Sequence, residues 1–94
     1  MSYFVYILAN KRNGTLYTGM TNALSRRIEE HKLGIGATFP AKHGCTLLVH
    51  AERFDTAQDA MRRERAIKRY HRKWKLNLIE KDNPDWKDLS YRWL

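Results

Sequence analysis

The chain has 94 residues, 43% of them apolar and 12% aromatic, with one cysteine and a formal net charge of +8. That composition excludes a disordered chain, an internal disulfide and a multi-cysteine zinc site, and no run approaches the ~20 apolar residues that span a bilayer. What remains is one domain with a modest core, expected in a reducing cytoplasm because it has no disulfide and opens on Met1-Ser2-Tyr3-Phe4 rather than on a basic leader.

Residues Tyr3–Ala9 (YFVYILA) are apolar or aromatic on both alternating faces, which predicts a central strand buried on both sides. Asn10 to Gly14 is turn chemistry, and Thr15–Met20 (TLYTGM) completes a hairpin. Thr21-Asn22 offers a helix N-cap, Ala23–Lys32 carries a helical pattern, and Gly34 suits its C-cap. Gly34–Gly44 holds three glycines and Pro40 and reads as loop. Thr46–Phe54 contains a third strand. Asp55-Thr56 opens a second helix running to about Tyr70, with Thr56 and Asp59 spaced as a capping box. Arg72–Lys81 predicts a further helix. Asn83-Pro84 starts a final helical turn, on which Trp86, Leu89 and Trp93 fall at helical spacing and pack the tail onto the core. The sum is an α+β fold, a three-stranded, mostly antiparallel sheet flanked by helices.

Several residues stand out chemically. If Ala9 and Gly14 close the hairpin loop, Tyr6 lies directly opposite Tyr17, with Cβ atoms ~4.5–5.5 Å apart. The two phenols then project together, either as an ordinary aromatic pair or as a site. Gly19 shares their face, and a glycine inside a strand often marks close approach of a ligand or backbone. Arg27 and His31 share one face of the first helix, at the edge of the stripe formed by Leu24 and Ile28. An arginine there can grip a phosphate through its planar fork. Ala60, Glu64 and Ile67 fall at i, i+4 and i+7, with Met61 beside them, so Glu64 faces inward. An inward carboxylate needs a cation, supplied by a basic side chain or by a metal ion, and a single carboxylate suits Mg²⁺. Eight of the 18 basic residues lie between Arg62 and Lys75, where Glu64 is the only acid. Arg63, Lys68, Arg69, Arg72 and Lys73 in that run are expected to contact a polyanionic substrate. Cys45, next to an apolar run, reads as a small buried hydrophobe.

Together these residues resemble the GIY-YIG endonucleases. Phe4-Val5-Tyr6 stands where that family has Gly-Ile-Tyr, and Tyr17-Thr18-Gly19 where it has Tyr-Ile-Gly. Leu24 to His31 is similar to its LxxRIxxH helix, and Ala60 to Lys68 to its glutamate motif. Lys73-Trp74-Lys75 and Asn83 to Leu89 resemble the ending of its small members. The departures, Phe4 for glycine and Thr18 for isoleucine, carry no chemistry. The resemblance implies that Tyr6, Tyr17, Arg27, His31, Glu64 and Asn83 occupy active-site positions, in a small member without a separate targeting domain. There is no P-loop and no HExxH.

The mechanism expected on this basis hydrolyses a phosphodiester of DNA, with one Mg²⁺ or Mn²⁺ on Glu64 and Arg27 stabilising phosphoryl charge. Tyr17 or Tyr6 would orient or deprotonate the attacking water, with help from His31. Because tyrosine titrates near ~10, nearby cations must lower its pKa or the proton must pass onward. So short a chain favours recognition of DNA shape or single strands over base readout. Two other readings fit part of the pattern: a non-catalytic basic module for nucleic acid, and a basic partner of an acidic protein or ribosomal RNA.

Overall fold

The structure is a computed structural model and describes residues 1–34 and 43–93. Three strands, β1 (Tyr3–Ala9), β2 (Leu16–Thr21) and β3 (Leu47–Phe54), form one antiparallel sheet in the order β2-β1-β3. The helices are α1 (Leu24–Leu33), α2 (Ala57–Lys68) and α3 (Arg72–Asp82), followed by a 3-10 helix at Leu89–Trp93. No helix among the described residues is long and apolar enough to cross a membrane. The loop expected over 34–44 falls, from 35 to 42, outside the described residues.

The central strand is buried on both faces, as its sequence predicts. Val5, Ile7 and Ala9 join Val49, Ala60, Ile67, Ile79 and Trp86 beneath α2 and α3. Tyr6 and Leu8 join Leu24, Ile28, Cys45, Leu48 and Leu89 beneath α1 and the tail. At α1, the expected Thr21-Asn22 cap is not made. Ala23 takes the N-cap position without a side-chain bond, and the Thr21 hydroxyl, two residues earlier, accepts the Ala23 N–H (3.0 Å). Gly34 closes α1 in the left-handed conformation (φ 72°), with its N–H on the His31 carbonyl. At α2 only half of the capping box forms. Thr56 Oγ1 accepts the Asp59 N–H (3.2 Å), while the Asp59 carboxylate turns to Arg62.

The hairpin register differs from expectation. Ala9 pairs with Leu16, so Tyr6 faces Gly19 and Leu8 faces Tyr17. The loop is longer because Asn10 Oδ1 takes the Thr15 N–H (2.9 Å) and Asn13 adopts a positive φ of 57°. The slip is two residues, so Tyr17 keeps its face and becomes the diagonal neighbour of Tyr6.

A second irregularity lies on β3. Ile7 pairs with His50 and Leu8 with Leu48, which leaves Val49 as an extra residue and a β-bulge. The tail covers this edge. Asn83 Nδ2 donates to the Val49 carbonyl (3.2 Å), and Asp88 Oδ1 accepts the Leu48 N–H (3.3 Å). The tail does pack onto the core, but not as one helical stripe. Asn83-Pro84 opens a turn, Trp86 has a φ of 56°, and the chain wraps from one sheet face to the other. Trp86 therefore belongs to the α2–α3 core, while Leu89 and Trp93 pack beneath α1.

Candidate active site

Three rings meet between β1, β2 and α1. The ring centroids of Tyr6 and Tyr17 are 6.4 Å apart, those of Tyr6 and His31 6.0 Å, and those of Tyr17 and His31 5.9 Å. The register explains this closeness. A Cβ on residue 19 would lie 2.6 Å from Cζ and Oη of Tyr6, so only glycine lets that ring lie across β2. Helical spacing explains the rest. Leu24, Ile28 and His31 form the buried stripe of α1, which delivers His31 to Tyr6 and leaves Arg27 at the rim.

The polar contacts here are incomplete. Tyr6 Oη and His31 Nε2 are 3.2 Å apart in a buried hydrogen bond. His31 Nδ1 and Arg27 Nε are both buried with no hydrogen-bond partner. The nearest acid to Arg27 is Glu30 at 3.7 Å, beyond hydrogen-bond range. About 39% of the Arg27 side chain is exposed, so its fork opens outward from a sealed Nε. Two buried nitrogens without partners, on residues four apart on α1, are uncommon in a folded interior.

Electrostatics gives the ring cluster a direction. Burial raises the Tyr6 phenol well above its ordinary range, and Tyr17, Glu64 and Glu30 push the same way while Arg27 opposes them. Of the two routes expected for a tyrosine here, a lowered pKa or a proton passed onward, the first does not hold for Tyr6, because desolvation outweighs the arginine. Burial, then Arg27, lowers His31 from its usual value, with Glu30 opposing. His31 is thus neutral near pH 7 and able to accept a proton. Glu30 went unremarked in the sequence, although its place three residues beyond Arg27 on α1 was a usable signal.

Glu64 comes from the other side of the sheet. α2 lies over β1 and edge strand β2, and the Glu64 carboxylate acts on Tyr6 across that edge. Its side chain is 22% exposed, and Lys68 Nζ stands 3.5 Å away. Among the described residues no three His, Cys, Asp or Glu side chains group to cage a metal. One half-buried carboxylate with a single loose cationic partner fits a hard divalent ion that keeps most of its waters.

The basic run divides. Arg63 is not a free phosphate ligand, because Glu52 takes Nε at 2.8 Å and Nη2 at 3.0 Å, and Nη1 donates to Tyr70 Oη at 3.1 Å. His50 lies 2.7 Å from the same Glu52. Burial works to raise the Glu52 carboxyl, but its bonds to His50 and Arg63 overcome this and hold it at about 2. Arg72 fastens the Asn13 and Gly14 carbonyls of the hairpin loop, and Lys68 is tied to Glu64. Arg69 and Lys73 are exposed, and Arg62, Arg65 and Arg69 line a shallow groove with Met61 on the outward side of α2. Asn83 does not join the cluster. It is buried beside β3, with its amide on the Val49 and Lys87 carbonyls and the Lys87 N–H.

Comparison with known proteins bears on this arrangement. Residues 2–77 match the family model described as the GIY-YIG catalytic domain, a span that takes in the ring cluster, Arg27 and Glu64 but stops short of Asn83. A UPF0213 protein of Staphylococcus haemolyticus is 41% identical over 78 residues, covering 83% of this chain and 94% of that protein. One from Staphylococcus aureus is 39% identical over 79 residues, covering 84% and 95%. The solution NMR structure of a UPF0213 protein from Bacillus halodurans superposes with a TM-score of 0.59 at 33% identity, covering 94% of this chain and 93% of that one. The α+β fold is shared with that structure, and the chain belongs to the GIY-YIG catalytic-domain family, among its small UPF0213 members.

Proposed function

We propose that this protein is a divalent-metal-dependent endonuclease that hydrolyses phosphodiester bonds of DNA, guided by the structure of the strand rather than by its base sequence. The observation that carries the reading is the pair of orphaned nitrogens, Arg27 Nε and His31 Nδ1, beside the Tyr6–His31 hydrogen bond. A phosphate seated there would satisfy the arginine and bring its phosphorus toward the phenols. Membership in a catalytic-domain family supports nuclease-like chemistry on nucleic acid.

In this reading Arg27 stabilises charge building on the phosphoryl oxygens. The raised phenol of Tyr6 makes it a poor resting base, so it works as a relay. Its hydroxyl takes the proton of the attacking water while passing its own to the neutral Nε2 of His31. Tyr17 completes the wall that orients the water, and Gly19 leaves room for the Tyr6 ring to lie over β2. Glu64 would hold one Mg²⁺ or Mn²⁺, which when bound supplies Lewis-acid polarisation of the phosphate and charge for the leaving oxygen. Asn83 acts at a distance, by fixing the tail over the bulge of β3. The exposed cations Arg69 and Lys73 hold the flanking backbone. The reading places the protein in the cytoplasm, where a free, buried Cys45 stays reduced.

One observation favours a second reading. Lys68 already lies 3.5 Å from Glu64 and could neutralise it without a metal, as in a basic module that binds nucleic acid but does not cut it. Incubation of supercoiled plasmid, branched duplexes and single-stranded DNA with Mg²⁺ or Mn²⁺, with and without EDTA, decides between them. Metal-dependent cutting that disappears in Glu64→Ala, with binding retained, is the expected result. Binding without cutting under either metal leaves the second reading.

A further inference from the structure

Trp74 is 55% exposed on α3, whereas Trp86 is only 4% exposed. Its indole is nevertheless held in place. The Tyr70 ring stands 5.5 Å from it at 84°, and the His71 ring 5.5 Å at 85°, both in T-shaped pairs. Tyr70 is fixed in turn, since Arg63 donates to its hydroxyl and lies over its ring. Arg63 itself is clamped by Glu52 on β3. A surface tryptophan that stands alone needs no explanation. This one is braced by two rings and anchored through an ion pair to the sheet.

The surroundings say what it faces. Tyr70, Trp74, Asn77, Leu78 and Lys81 line an open cleft of about 340 Å³. From Arg65 to Lys81 the chain carries seven basic residues and one acid, Glu80, whose carboxylate is taken by the Trp86 indole N–H. Tyr70 lies two residues beyond the end of α2, the helix that carries Glu64. An exposed, rigid aromatic within a cationic field, one amide at its side, is complementary to a base with a phosphate attached. An acidic peptide would use the charges but leave the indole face bare.

We propose that Trp74 is a stacking platform for one unpaired nucleobase, with Asn77 at the base edge and Lys81 and Lys73 at the flanking phosphates. The cleft would grip the strand beside the cut, adding a subsite that holds a base out of register with any duplex. Because the ring is pre-set by Tyr70 and His71, little side-chain freedom is lost on binding. This inference rests on the nuclease reading only for its substrate. Its test is a binding measurement that needs no cleavage.

The experiment titrates the full-length protein, in EDTA, with a fluorescein-labelled oligothymidylate, the same oligomer with abasic sites, and a blunt duplex. Wild type, Trp74→Ala and Trp74→Phe are compared by anisotropy, with thermal melts to confirm folding. One lost stack on alanine substitution weakens binding by about tenfold or more. The expected result is that loss for Trp74→Ala on oligothymidylate, near-complete retention for Trp74→Phe, and equally weak binding of the abasic strand by wild type and Trp74→Ala. Duplex affinity stays level across all three proteins. Equal affinity of wild type and Trp74→Ala for oligothymidylate overturns the proposal, as does the same fall on duplex or abasic DNA. Failure to cut DNA under any metal would instead refute the nuclease reading and leave this result standing.

Discussion

Two clusters of buried and half-buried polar side chains lie on opposite faces of one small sheet, and they are built differently. Beneath α2, Glu52, Arg63, His50 and Tyr70 hand hydrogen bonds to one another until every charge has a partner within about 3 Å. Beneath α1, Tyr6 and His31 share one bond while Arg27 Nε and His31 Nδ1 have none. The closed cluster holds β3 to α2 and so fixes the helix that carries Glu64. The open one is left with unspent hydrogen-bonding capacity beneath the exposed fork of Arg27. Burying a polar atom without a partner costs stability, so a site that keeps two is better explained by a ligand than by packing.

The sharpest way to break this comparison is to remove a charge from each cluster and ask which property moves. Arg27→Gln should lower the turnover of DNA at saturating substrate by roughly 10²–10³-fold, the usual cost of one transition-state donor. Its melting temperature should hardly change, because the side chain makes no strong partner in the fold. Single-turnover cleavage beside a thermal melt reads both. An Arg27→Gln protein that cuts at the wild-type rate would show that the orphaned nitrogen has no part in the chemistry.

Glu52→Gln should do the reverse. Breaking a fully buried ion pair costs about 3–5 kcal/mol, and with 23% of Glu52 and 29% of Arg63 exposed a loss of about 2 kcal/mol is expected. Cleavage per folded molecule should be kept. The pH dependence follows from the same carboxylate. Its folded value of about 2 lies below the unfolded one, so its contribution is complete above the unfolded carboxylate range and drains away as pH falls toward 2. Urea melts across that range should show a steep acid limb in wild type and a flatter one in Glu52→Gln. A limb of equal slope in both would place the acid sensitivity elsewhere.

The contrast also marks what a sequence can convey. The double-sided apolar pattern of Tyr3–Ala9 identified the central strand, and helical spacing on α1 and α2 brought Arg27, His31 and Glu64 to faces that fit the site. These are local periodicities, and local rules carry them. The hairpin register was lost because it turns on where one side chain, Asn10, places a hydrogen bond. The bulge at Val49 and the tail that crosses it depend on contacts from Asn83 and Asp88, far along the chain. Arg63 looked like one more phosphate contact in a basic run. Its partner Glu52 lies on another element, and only an inward-facing acid on β3 hinted at the clamp.

The smallest effect tests the electrostatics of the open cluster directly. Burial and the Arg27 charge both depress His31, and Glu30 opposes them. Imidazole NMR shifts should therefore place the His31 titration below the usual histidine range in wild type. Removing the cation in Arg27→Gln should raise that midpoint, and removing the anion in Glu30→Gln should lower it further. The sign for stability agrees: a histidine depressed in the fold favours the folded state above its unfolded pKa, and that contribution is lost as pH falls through the folded value. Because the measurement needs neither DNA nor metal, it isolates the coupling between Arg27 and the relay from every later step. If Arg27→Gln leaves the midpoint where it was, the guanidinium and the imidazole do not share a site, and the open cluster is two separate accidents of packing.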